Sequence, residues 1–178
     1  MKTIPRILIC LDTLVDLVLG PGWNGDYSHL DIRLDGIHRL RELVETDRLV
    51  IYVPPPLVSI VQLTVQQGYG VEQAHHAVQK ILKLCSTNLG IDHDRILSQA
   101  NDLLLISKGH LDLYEVILLP VASALKIDAI VAHRPSLLTQ VWMADDQEIP
   151  SVDFPVVTVS GFIRLMAEPR TGSTWSHY

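Results

Sequence analysis

The chain has 178 residues, enough for one domain with its own core, and 48% of them are hydrophobic, which excludes a disordered chain. Its formal net charge of −6 disfavours non-specific attraction to nucleic acid or anionic lipid, although it leaves room for a local basic groove. Met1 to Cys10 lacks a long apolar segment and a cleavage site, and no apolar run reaches the roughly 18 residues of a membrane span, so the sequence reads as a cytoplasmic protein.

Arg6 to Leu11, "RILICL", is short and continuously apolar, the pattern of a buried parallel strand; Asp12 follows it. "TLVDLVL" then has helical spacing. Leu34 to Glu45 repeats its apolar residues at close to the helical period and predicts an amphipathic helix. Leu49 to Val53 predicts a second strand, stopped by Pro54-Pro55-Pro56. Proline is accepted in a first helical turn, so a helix starts there and is broken over Gly68 to Gly70. Val71 to Cys85 is another helix. "IDHDRILSQ" offers at most a short edge strand running into the helix "SQANDLLLIS". Leu111 to Lys126 is helical by composition, with Pro120 as an internal kink. Asp128 to Ala132 and Phe154 to Ser160 are further strands, and "GFIRLMAE" is the last helix. Strands alternating with helices predict a parallel sheet covered on both faces: one α/β domain over residues 1–168, with a frayed polar tail over 169–178.

"GPGWNG", residues 20–25, has the spacing of a dinucleotide-binding fingerprint. That fingerprint must leave a strand directly and open a helix. Here the strand ends eight residues earlier, Pro21 removes a backbone N–H, and "DYSHLDIRLDG" is too polar for the first turns of a buried helix. The stretch reads as a surface loop with glycines for turn geometry, and a doubly wound nucleotide-binding protein is the least favoured reading.

Ligands of open α/β sheets bind beyond the carboxyl ends of the strands, which directs attention to Asp12. It is either a functional carboxylate or a helix N-cap. Asp16, one turn further, is a spare carboxylate that reads as solvated or capping. Asp112 and Glu115 are three residues apart and share a helix face, where they serve as a capping pair or as ligands. Cys10 and Cys85 lie in apolar patterns and read as buried thiols. His75, His76, His93 and His110 have no metal-ligand spacing. His133, after the "DAIVA" strand, is placed to reach the site as an acid or base. Trp23, Trp142 and Trp175 do not form a stacking series.

Three stretches together resemble the PIN-domain family of metal-dependent nucleases, which includes VapC-type toxins: "ILICLDTLVDLVL", "DLYEVILLPVASALKIDAIVAHRP" and "DFPVVTVSGFIRLM". The resemblance spans nearly the whole chain, and the middle stretch is its most specific part. It implies a three-layer α/β/α PIN-like fold with a mostly parallel sheet. It implies catalytic carboxylates at Asp12 and Glu115, and Mg²⁺ or Mn²⁺ held by Asp12, Asp112 and Glu115 to activate water against an RNA phosphodiester. Dimerisation and a protein partner, an antitoxin or a regulator, are implied in the same way.

Two positions depart from the family pattern. The glutamate expected after the second strand falls on Ser59 or Ile60, and no acid occurs between Val50 and Val71. The acid or amide expected after the "DAIVA" strand is Arg134, which with His133 becomes a candidate substrate-binding pair. A guanidinium ~6 Å from a metal site opposes it by roughly 3 kcal/mol per unit charge at an effective dielectric of about 20. Arg134 is thus expected to pair with Asp12 or Glu115 in the metal's electrostatic place. The pattern predicts a PIN-like protein with weakened or lost ribonuclease activity, with an active Mg²⁺-dependent endoribonuclease as the alternative.

Overall fold

The computed structural model describes residues 4–23, 25, 29–106, 113–133 and 154–167. Its centre is a four-stranded, all-parallel sheet of β1 (Arg6–Ile9), β2 (Val50–Tyr52), β3 (Ala129–Val131) and β4 (Val156–Val157), in the order β2-β1-β3-β4. Ile7 lies between Ile51 and Ala129, and Ile130 pairs with Val156. Ile7, Leu8 and Ile9 are fully buried, as are Ala129, Ile130 and Val131. Successive strand residues point to opposite faces, so both faces of the sheet are covered. This is the three-layer α/β/α architecture, and the strands are the apolar runs that the sequence marks.

Among the described residues the helices are α1 (Leu11–Leu19), α2 (Leu30–Glu45), α3 (Pro55–Tyr69), α4 (Val71–Leu84), α5 (His93–Ile106), α6 (Leu113–Val116), α7 (Leu118–Leu125) and α8 (Val159–Ala167). Helix α1 is apolar enough to be enclosed: every residue from Thr13 to Val18 is buried, Asp16 included. Its carboxyl end is closed by cations from two other helices. Arg41 donates to the Leu17 carbonyl from Nε at 3.1 Å and also from Nη2, and Lys80 Nζ donates to the Val18 carbonyl at 2.8 Å. These side chains satisfy carbonyls that lack helical partners and complement the negative end of the helix dipole.

Several boundaries differ from the sequence reading. The first strand stops at Ile9, because Cys10 caps α1 and Asp12 is already inside its first turn. Helix α2 starts at Leu30 rather than Leu34, inside the polar stretch after the glycine loop; Asp31 stands in its first turn, where a carboxylate suits the helix dipole. Helix α3 begins on Pro55 and Pro56 as expected but runs through Gly68, and only Gly70, at φ 88°, ends it. "IDHDRILSQ" forms no strand: α5 starts at His93, and the extra edge contact comes from Ser86, bridged in parallel to Tyr52. The late helix divides at Ile117 into α6 and α7, so Pro120 falls in a first turn, where its missing N–H costs little. The last strand ends at Val157 because Thr158 caps α8, its Oγ1 accepting the Gly161 N–H at 3.1 Å.

Helices α2 and α8 approach closely at Gly36. A Cβ there would lie 2.7 Å from Val159 Cγ1, so glycine is the residue that the contact accepts.

Candidate functional site

The strand order locates the site. The chain steps from β1 to β2 on one side and then returns to place β3 on the other side of β1, so the topological switch point lies between the carboxyl ends of β1 and β3. There the two strands remain joined beyond their named ends: the Cys10 N–H donates to the Val131 carbonyl at 2.9 Å. Cys10, Asp12, Thr13 and His133 adjoin this edge.

Beneath it lies Asp16, whose side chain is 0% exposed. Arg33, in the first turns of α2, donates to it from Nη2 to Oδ1 at 3.0 Å and to Oδ2 at 2.9 Å, and from Nε to Oδ2 at 3.1 Å. His133 Nε2 lies 2.8 Å from the same Oδ2. The Arg33 and His133 side chains retain 15% and 23% exposure, so the cluster runs from a buried carboxylate to a partly open imidazole. A buried carboxylate is costly unless paired and hydrogen-bonded, and this one is both.

Asp12 stands apart from this cluster. It is exposed on the first turn of α1, neither ending the strand nor capping the helix. Glu115 is half-buried on α6. Asp112 and Arg134 lie outside the described residues, as do His110, Trp142 and Trp175. Asp16, read from the sequence as solvated or capping, is instead the buried centre. Asp16 takes its guanidinium from Arg33, a residue that the sequence patterns do not single out, while the pairing expected of Arg134 lies outside the described residues. A signal for Asp16 was present: a lone carboxylate within "LVDLVL" has apolar neighbours on both sides.

Cys10 Sγ lies 3.3 Å from Thr13 Oγ1. Burial pushes its thiol above the ordinary range, against hydrogen bonds from the Thr13 side chain and from the Thr13 and His133 backbones. Cys85 is pushed up to about 12 by burial. Both are the free, buried thiols that the sequence predicts. His75, His76 and His93 are exposed.

In "GPGWNG", Gly20, Gly22 and Gly25 all have positive φ, and Gly20 spends its N–H on the Asp16 carbonyl at 2.9 Å. The loop thus leaves the carboxyl end of a helix, whose partial charge is wrong for a pyrophosphate. Tyr69 ties it down by donating its hydroxyl to the Trp23 carbonyl.

The buried Asp16 carboxylate already takes the Arg33 guanidinium, so a cation placed beside it meets a fixed positive charge. Fold and site together define an α/β protein with a parallel sheet and a buried carboxylate–guanidinium–imidazole cluster next to its switch point. Comparison with known proteins returns no matching family model, no matching curated protein and no matching solved structure. Among the described residues, no helix is long and apolar enough to cross a membrane.

Proposed function

We propose that this chain is a PIN-like domain that has lost metal-dependent ribonuclease activity and acts as a cytoplasmic binding or regulatory module, needing no metal cofactor. One observation carries the reading: both Asp16 oxygens are engaged by Arg33, and Oδ2 also by His133. A guanidinium there supplies the positive charge that a divalent ion would bring, but it activates no water. Its partner in this reading is a protein, a regulator or a second copy, rather than RNA.

One observation favours the alternative of an active Mg²⁺-dependent endoribonuclease. The Asp12 carboxylate is exposed on the first turn of α1 next to the switch point, where it is open to an ion.

Mn²⁺ calorimetry at neutral pH on wild type and Asp12→Asn, with an RNA cleavage assay in Mg²⁺, separates the two. The proposal expects no micromolar binding in either protein and no divalent-dependent cleavage. Micromolar binding in wild type that disappears in Asp12→Asn, accompanied by cleavage, overturns it.

A further inference from the structure

Asp16 and Arg33 also act on the third member of their cluster. A guanidinium stays charged at any pH of interest, and a carboxylate paired with it has only acceptors to offer. His133 Nε2, 2.8 Å from Asp16 Oδ2, is therefore the donor of that hydrogen bond. In a neutral imidazole the single ring proton is then on Nε2, and Nδ1 carries an unshared lone pair. Among the described residues Nδ1 has no partner, and the ring is 23% exposed at the carboxyl end of β3. Among the described residues, Cys10 Sγ at this edge is engaged by Thr13 Oγ1 at 3.3 Å.

We infer that Asp16 and Arg33 are positioning residues that hold His133 in one tautomer, and that Nδ1 is the ligand-contacting atom of a site at the switch point between β1 and β3. The ligand class follows from the lone pair. It is a group offering an O–H or N–H donor, and a bare anion without a donor meets the lone pair unfavourably. Arg33 has a specific part in this. It divides the Asp16 charge with His133 and fixes the carboxylate plane, so the imidazole cannot turn without leaving its partner. The inference depends on the reading above in one respect, that Asp16 holds a guanidinium rather than an ion.

The test is two-bond ¹H–¹⁵N NMR of the imidazoles in the full chain, with His133→Gln to assign the signal. The expected result is an Nε2–H tautomer for His133 in wild type. In Asp16→Asn, whose amide can donate to Nε2 as well as accept from it, the Nδ1–H tautomer should become populated. Phenol, an O–H donor, should shift Nδ1, and sulfate, which has no donor at neutral pH, should not. A wild-type ring protonated on Nδ1, or a mixture that Asp16→Asn does not alter, overturns the positioning role. An Nδ1 that ignores phenol overturns the ligand assignment. Because Asp16→Asn can fail to fold, Arg33→Lys gives a second reading: it keeps the charge, loses the fork, and should weaken the tautomer preference. Mn²⁺ calorimetry on the same samples reports separately on the loss of the metal site.

Discussion

Arg33 and Asp16 are seventeen residues apart in the chain and meet where α2 packs on α1, with Arg33 Nη2 2.9 Å from Asp16 Oδ2 and 3.0 Å from Oδ1. The carboxylate is enclosed on an apolar helix, so its alternatives on losing this partner are poor. In water the same pair would contribute little, but enclosure makes each partner depend on the other.

Asp16→Ala should therefore destabilise the fold by about 3–5 kcal/mol, because it takes a fully buried, ion-paired carboxylate away from the guanidinium and imidazole that it engages. Replacing Asp16 and Arg33 together by Leu and Met should cost much less than the sum of the two single changes. Urea denaturation of the four proteins in a double-mutant cycle measures the coupling, and additive single effects would show that the pair is not a unit.

Asp12 behaves in the opposite way. It is exposed in the first turn of α1, where a carboxylate gains about 0.3–1 kcal/mol from the helix dipole. Asp12→Asn should lower stability by no more than about 1 kcal/mol, with an unchanged near-ultraviolet spectrum. A larger loss would place Asp12 in a buried network.

Gly36 is required by contact rather than by its backbone angle. Gly36→Ala adds a Cβ 2.7 Å from Val159 Cγ1, on a β-branched side chain with little rotamer freedom. Overpacking of this kind costs about 1–3 kcal/mol and offsets the helix-propensity gain of alanine. Val159→Ala in the same chain should recover part of the loss. Thermal melts that show Gly36→Ala to be more stable than wild type would exclude the close approach.

Cys85 sets an alkaline limit. Its thiol ordinarily titrates near 9.0 and is pushed up to about 12 by burial. The folded state thus holds the proton more tightly than the unfolded chain does. The associated stability is fully present below pH 9.0 and is lost as the pH rises from there through about 12. Cys10 is shifted in the same direction. Both thiols should resist a thiol-exchange reagent in the native state at pH 8 and react together on unfolding. Rapid native labelling of Cys85 would contradict its burial.

Much of the fold is legible in the sequence because strand and helix patterns are local. "ILI", "VIY" and "AIV" are short runs without a charge, the pattern of a doubly covered parallel strand, and the buried character of Cys10 and Cys85 follows from their apolar neighbours. The proline start of α3 and the glycine turns after α1 are likewise local, since each depends on one residue's own backbone geometry. The tertiary structure decided the rest. Helix α2 begins four residues earlier than its apolar spacing indicates, and Arg33, on that added turn, reaches a carboxylate on another helix. Asp16 is polar by type but buried by position, and its partners come from residues 33 and 133, distances along the chain that no periodicity records. An exposed Asp12 and a buried Asp16 look alike as letters four apart on one helix. What separates them is how far each lies from the neighbouring helices, and only packing sets that distance.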